Sequence, residues 1–522
     1  MKKYQAPIVG ENEYLLNSKA NVTFDEILRM SEKGFDKWAK LLAKEIKFAW
    51  DKYGTPPRPG IAKDKIVTQF KALSNLDVAS FLQRDELTYD YDCIINKTAN
   101  LGSACLAFFP NIDKTKDLNA SGNNLEGMSI YDIFSKPKYS SGMRQMLHRS
   151  IRKDSFFKFS PVVKRNNPSF LVKAATGKKW IKNYLAQHSA PFIHYGFWID
   201  INQSKGKSTK DKFLSLSKND IDELLSAKLI SKAHFPNGSI KDIKTGTRCK
   251  IRFYKRGQKI LPKAYSCFQT AWVMSGSNFP PPIVKFLYKH FTEKIKAQKK
   301  LVVYDPSSGF GGRILGALAL NNDRKIHYVG TDPNPDNWLG EINKSRYEYM
   351  ADFFNSNVKG KHKTTVDIFT VGSEVIHRDR KFQKYKGKID LIFTSPPYFA
   401  AEGYSEDENQ SFKKFPTYLE WRDGFLKKTL ETCYKYLKKK RWLLFNIADI
   451  KFGAKYYPLE KDTIEICKTL GFEYRIKMKM VLSASPGANK VNKITRLPTT
   501  KNFCQVNGSR RKYEPIFCFW KK

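Results

Sequence analysis

Between residues 24 and 54 apolar side chains return every three or four positions. Ile27, Leu28, Phe35, Trp38, Leu41, Leu42, Ile46 and Trp50 keep the spacing of an amphipathic helix. The run GTPPRPG at 54–60 ends it, because proline and glycine do not continue a helix. From 100 to 265 short apolar runs are mixed with Asn, Ser and Gly, and no strand–helix rhythm emerges. After about residue 275 the pattern changes. LVVYDPSSGFGGRILGALAL, IHYVGTDPNP, TVDIFTVGS, IDLIFTSPPYF and RWLLFNIADI each drive an apolar, β-rich run into a loop of small or acidic residues. Buried parallel strands with helical crossovers read this way. The expectation is two regions: a larger mixed α+β region over 1–270, and an α/β domain over 271–522 with a doubly wound, mostly parallel sheet.

A chain of 522 residues has room for two or three cores. No apolar run nears the roughly 20 residues that span a bilayer, and MKKYQAPIVGENEYLL lacks the continuous apolar core of a secretion signal. Eight scattered cysteines without a CxxC pair suggest buried thiols in a reducing compartment and no structural metal. The balance of 93 basic against 50 acidic residues, net +43, points to a polyanionic partner. A lysine-rich default surface would give a similar excess. Two stretches concentrate the charge. Between Arg149 and Lys182 ten basic residues accompany one acid, Asp154, and are interleaved with phenylalanines, which makes Arg152, Lys153, Lys164 and Arg165 candidate phosphate contacts. In RCKIRFYKRGQKILPK, strand alternation would set Arg248, Lys250 and Arg252 on one face, with Lys255 and Arg256 near a turn at Gly257. An ordinary solvated hairpin is the other reading of that ribbon.

The α/β domain carries the chemistry. One strand ends at Asp305 and enters a turn with Ser307, Gly309, Phe310, Gly311 and Gly312, where glycine permits close backbone approach to a ligand. No Gly-Lys-Ser/Thr follows, so this is not a triphosphate loop. The next strand ends in Asp332-Pro333, where a doubly wound fold sets a carboxylate against the hydroxyls of a ribose. The alternative role for Asp332 is to cap a helix in DPNPDNW. Together these signals suggest a cofactor bound through an adenosyl group. A further strand runs into Ser395-Pro396-Pro397-Tyr398 at the same edge. Proline has no N–H and fixes the backbone, so rigid carbonyls face outward. A serine hydroxyl and a proline carbonyl can accept hydrogen bonds from the exocyclic amine of a base, while Tyr398 offers a flat face to a base swung from its helix.

DPSSGFGG, GTDPNP and TSPPYF, in this order, resemble the S-adenosylmethionine-binding, ribose-binding and catalytic motifs of the DNA amino-methyltransferases that modify cytosine N4 or adenine N6. The resemblance covers roughly 275–522. It implies a Rossmann-like methyltransferase fold with S-adenosylmethionine as cofactor. SNFPPPIVKFLYKHF resembles the family's segment at the methionine end of the cofactor, which nominates Phe279 and Pro281, and Ser373 or Glu374 falls where the adenine would be approached. RRKYEPIFCFWKK is similar to the family's last antiparallel hairpin. Two departures stand out: Ser307 replaces a common aromatic, and the catalytic tetrapeptide begins with Ser395 rather than Asp or Asn. The Ser form resembles the cytosine-N4 enzymes more than the adenine-N6 ones.

The implied function is methyl transfer to an exocyclic amine of a base in double-stranded DNA, by cytosine-N4 preference, in a prokaryotic or host cytoplasm, with no membrane association and no metal. Adenine N6, an RNA amine on the same fold, and an inactive nucleic-acid-binding protein are the alternatives. Neither gap beside the catalytic motif holds a large recognition domain, so 1–270 becomes the docking region. A separate restriction endonuclease is left open as a second partner, as is the oligomeric state. The loop AAEGYSEDENQSFKKFP at 400–416, with acids at 406–408, is placed to close over the base.

Overall fold

The computed structural model describes residues 18–23, 26, 30–53, 63–96, 98, 101–117, 129–135, 278–296, 299–405, 407–452, 455–482 and 502–522, together with the backbone of strands 192–200, 213–216 and 247–255. The chain divides into two compact units. One comprises 1–10, 60–129 and 274–522, the other 11–59 and 130–273. The boundary expected at 270 therefore does not separate the units: residues 60–129 fold with the α/β domain. Among the described residues no helix is long and apolar enough to cross a membrane.

In chain order the first unit contains α1 (Lys63–Ser74), β1 (Leu82–Arg84), β2 (Tyr91–Ile95), α2 (Pro281–Thr292), β3 (Leu301–Asp305), α3 (Gly312–Leu318), β4 (Ile326–Thr331), α4 (Arg346–Asn357) and β5 (Thr365–Phe369). It continues with β6 (Ile389–Thr394), α5 (Lys427–Tyr436), β7 (Leu437–Asn446), α6 (Leu459–Thr469), β8 (Phe472–Val481), β9 (Phe503–Val506) and β10 (Ser509–Lys521). The sheet runs β1-β2-β8-β10-β7-β6-β3-β4-β5, with β9 paired to β10. Strands β3 to β7 are parallel, and β10 enters antiparallel between β7 and β8. This is the α/β, doubly wound, mostly parallel architecture expected. LVVYD, IHYVGT and IDLIFT are apolar almost throughout because helices cover both faces; every residue of β4 and β6 is buried.

From β3 the chain steps outward through β4 to β5 and then returns to β6 on the other side of β3, so the crossover helices part at the carboxyl end of β3. A crevice opens at such a switch point. The register brings Asp305 level with Gly330, Phe369 with Thr331, and Thr394 with Phe445. Asp305, Asp332, the start of the Ser395 corner and Asn446 therefore share one edge.

The N-terminal segment extends this sheet: β2 pairs in parallel with β8, Cys93 opposite Lys479. Two buried ammonium groups pin it. Lys479 Nζ lies 2.6 Å from Asp85 and 2.8 Å from Asp92, all three nearly excluded from solvent. Lys285 of α2 donates to the carbonyls of Leu73, Ser74 and Leu76, capping the negative end of α1. Burial pushes the Lys285 ammonium down to about 8. Lys479→Met leaves two buried carboxylates without a counter-charge and is expected to cost about 3–5 kcal/mol. A urea titration checks this, and a loss below about 1 kcal/mol would contradict the pin.

In the second unit, helix Glu32–Tyr53 buries Phe35, Trp38, Leu42, Ile46 and Trp50, as its periodicity predicts. It packs on Ile130–Ser135 through a Trp50–Tyr131 edge contact at 5.0 Å and a Tyr131–Asp51 hydrogen bond of 2.5 Å. A separate antiparallel sheet has the order 192–200, 247–255, 213–216. Arg248, Lys250, Arg252 and Lys255 lie on its central strand, which pairs with two upstream strands. Arg152, Lys153, Lys164, Arg165 and the turn at Arg256 lie outside the described residues, as does GTPPRPG at 54–60.

Candidate active site

A cavity of about 300 Å³ opens at the carboxyl edge of β3, β4 and β6. Of the residues singled out by sequence, Phe279, Ser307, Gly309, Phe310, Asp332, Pro333, Ser373, Ser395, Pro396, Pro397 and Tyr398 line it. Asp305, Gly311 and Pro281 do not. Their contribution is to the frame around the cavity rather than its wall.

Asp305 explains why. Its carboxylate is fully buried and accepts from Arg313 Nε at 2.7 Å, Tyr328 Oη at 2.7 Å, Thr394 Oγ1 at 3.0 Å and the Ser307 amide at 3.2 Å. One side chain thus ties β3, β4, β6 and α3 together at the crevice floor. Pro281 is the first residue of α2, where a missing N–H costs nothing.

The glycine loop is held from outside. Gly309 has φ +59° and Gly311 φ +81°, conformations that favour glycine. A Cβ on Gly311 would stand 2.2 Å from the Phe109 ring, so the N-terminal segment reaches the loop directly. Asn278 fastens it, donating to the Phe310 carbonyl at 2.5 Å and accepting from the Gly312 amide at 3.1 Å.

Asp332 accepts from the amides of Gly309 at 2.7 Å and Asn334 at 2.9 Å, and from Tyr347 Oη at 3.1 Å. It joins the glycine loop to β4 and closes a local turn onto the Asn334 amide, while the short helix Pro335–Asn337 that follows is capped by the Asn334 side chain and not by Asp332. Burial pushes its carboxyl up to about 6 against these bonds. Next along the edge, Ser373 shares a hydrogen bond of 2.8 Å with Thr429, and the buried Glu374 pairs with Lys414 at 2.7 Å.

The Ser-Pro-Pro-Tyr corner leaves β6 at Thr394. Its exit is strained: Phe399 has φ +47°, unusual for a bulky residue. The rings of Tyr418, Trp421 and Tyr457, with centroids 5.7, 5.9 and 5.3 Å away, hold Phe399 there. Tyr398 is held at its tip, its phenol donating to Glu514 Oε1 at 2.8 Å, with Asn446 Oδ1 3.4 Å away. Asn446 in turn donates to the Pro515 carbonyl at 2.9 Å. The 400–416 loop does border the cavity, through Tyr404, Ser405, Asp407 and Gln410 among others. Glu402 and Gly403 pair with Asp117 and Lys116, fastening its start to the N-terminal segment. Of the acidic cluster, Asp407 faces the cavity and Glu408 pairs with Lys413 at 3.2 Å, while residue 406 lies outside the described residues.

Asn278, Asn446 and Glu514 are among the cavity residues that sequence reasoning missed, with the apolar Phe425, Met480 and Leu482. Asn446 had a signal, being the polar residue that ends the apolar run WLLF. Glu514 had none, because its place depends on the register of β10.

The strand order and the crevice define the Rossmann-like methyltransferase fold. Residues 389–522, from β6 to the final strand, match the model of the N6/N4 methyltransferase family, described as DNA methylase. No curated protein matches this chain. Among solved structures, the chain is similar to the CurJ carbon methyltransferase (14% identity, 47% of this chain and 54% of that one, TM-score 0.28). It is also similar to a SAM-dependent methyltransferase from Methanosarcina mazei (8%, 45% and 96%, 0.26) and to a DNA modification methylase from Thermus thermophilus (17%, 28% and 49%, 0.18). The chain spans about half the length of the first of these. At such identities the fold rests on the strand order itself.

Proposed function

We propose that the first unit is an S-adenosylmethionine-dependent methyltransferase acting on an exocyclic amine of a base in DNA, with cytosine N4 as the preferred target. One observation carries the reading: a single cavity brings the glycine loop, Asp332 and the Ser395–Tyr398 corner together. The DNA methylase match over 389–522 supports it. The residues present fit the cofactor. Gly309 and Phe310 give a close-approach wall, Asp332 a carboxylate, and Pro333 and Ser373 further lining where the adenine would be approached. Asn278 and Phe279 line the same cavity, from the segment that would hold the amino-acid part.

Bound there, S-adenosylmethionine supplies an activated methyl group. The Ser395 hydroxyl and the Pro396 carbonyl accept the two amine hydrogens, drawing the nitrogen lone pair out of conjugation and aiming it along the cavity. Tyr398, fixed by Glu514 and Asn446, stacks on the base. Ser395 at the head of the tetrapeptide favours cytosine. The docking role expected of the N-terminal region falls to the second unit, whose basic strand Thr247–Lys255 would lie along phosphates.

Incubation with S-adenosylmethionine and unmethylated plasmid, followed by nucleoside mass spectrometry, tests the reading. N4-methylcytosine is expected. N6-methyladenine would retain the mechanism and overturn the base, and methylation of RNA alone would overturn the substrate. Ser395→Ala is expected to lower the methyl-transfer rate by about 10²-fold, in the range of lost transition-state contacts. Cofactor affinity, measured by calorimetry, should stay within about twofold because the hydroxyl acts on the amine.

A further inference from the structure

Among the described residues four carboxylates line the cavity, and three are already engaged. Asp332 accepts from two amides and Tyr347, Glu374 is paired with Lys414, and Asp407 accepts from the Asn409 amide within its own loop. Glu514 differs. Its Oε1 accepts from the Tyr398 phenol, and among the described residues its Oε2 has no hydrogen-bond partner.

The surroundings of Glu514 follow from the register. It stands opposite Met480 of β8, while Pro515 stands opposite Lys479 and Tyr513 opposite Val481. Side chains alternate faces along a strand, so the Lys479–Asp85–Asp92 cluster belongs to the other side of the sheet. Facing Glu514 on the cavity side are Tyr398 from the loop after β6, Asn446 of β7 and Met480 of β8. None carries a charge.

We propose that Glu514 supplies the negative charge that a tetrapeptide headed by Ser395 lacks, fixing the Tyr398 ring through Oε1 and taking through Oε2 the proton that the substrate amine must lose. This rests on the amino-methyltransferase reading above. When the amine nitrogen forms its bond to the methyl carbon, the carbon–sulfur bond breaks and its electron pair stays on sulfur. Nitrogen becomes cationic. One of the two N–H bonds then leaves its Ser395 or Pro396 acceptor and breaks, the pair stays on nitrogen, and the proton passes to the Glu514 carboxylate, which returns it to solvent. A serine hydroxyl cannot offset that cation at neutral pH, and a carboxylate in a cavity of low polarity acts on it more strongly than in water. Burial also raises the Glu514 carboxyl above the ordinary glutamate range, toward a working base.

Single-turnover methylation at saturating cofactor, from pH 5 to 9, tests this with Glu514→Gln, which keeps size and an acceptor for Tyr398. The variant is expected to lose about 10²-fold in rate, in the range of general-base effects, and to lose the acidic limb of the wild-type profile, with cofactor affinity by calorimetry unchanged within about twofold. Infrared titration of the wild type without substrates should show a carboxyl band of raised pKa that E514Q lacks, a readout independent of turnover. Wild-type rate and an unchanged acidic limb in E514Q overturn the assignment, as does an infrared titration identical in the two proteins. Absence of methyl transfer by the wild type overturns the proposed function itself.

Discussion

Asp305→Ala is expected to lower the unfolding free energy of the first unit by about 3–5 kcal/mol, the usual cost of stripping one partner from a buried ion pair. The carboxylate is fully buried and its removal strands the Arg313 guanidinium, the Tyr328 and Thr394 hydroxyls and the Ser307 amide at once. Arg313 is itself almost excluded from water, so it cannot recover hydration without opening the crevice. Asp305→Asn, which keeps the size and one acceptor, should lose less. Urea unfolding followed by tryptophan fluorescence measures both, since Trp421, Trp442 and Trp520 all lie in this unit. A loss below about 1 kcal/mol for the alanine variant would mean that the ion pair does not hold the crevice together. The variant should also bind cofactor poorly, but as a consequence of the displaced glycine loop.

Asp332→Ala is expected to weaken S-adenosylmethionine binding by about 100-fold, the equivalent of one or two hydrogen bonds to a charged group. The effect has a pH signature. Burial raises the Asp332 carboxyl to about 6 from its ordinary 3.8. Between those values the folded protein holds a proton that the unfolded chain has lost, so this group's contribution to stability is present below about pH 4 and is lost as pH rises through 6. Cofactor affinity runs the opposite way, because a ribose hydroxyl needs the ionised acceptor. Calorimetry should find the wild-type dissociation constant about tenfold weaker at pH 5 than at pH 7, one unit below the pKa corresponding to one decade. Asp332→Asn should be weak and flat with pH. Unchanged affinity in Asp332→Ala would remove the ribose assignment.

The contrast between Asp305 and Asp332 shows how far residue patterns reach. Both end apolar strands, both precede proline, and both carry the sequence pattern of a cofactor ligand. Only Asp332 borders the cavity, because Arg313, the second residue of α3, folds back onto Asp305 and claims it. A local pattern records that a strand stops at a carboxylate, but which donors reach it depends on neighbouring elements. The N-terminal boundary is displaced for a related reason. Residues 60–129 lack a βα rhythm, yet β2 joins β8 through backbone hydrogen bonds that no side-chain pattern advertises, and Asp85 and Asp92 find Lys479 nearly four hundred residues away.

The amino-acid sequence by itself determined the parallel sheet, the glycine turn, the acidic strand ends and the Ser395–Tyr398 corner. Each is a contiguous run whose backbone preference and burial are settled within about ten residues. Tertiary structure alone decided that Phe109 backs the glycine loop, that three aromatic rings hold Phe399 in its left-handed conformation, and that Glu514 grips Tyr398. Those contacts rest on the antiparallel entry of β10 and on chain segments far apart in sequence. Packing selects such partners only once the sheet has formed, because only then do their side chains share a face and exclude water together.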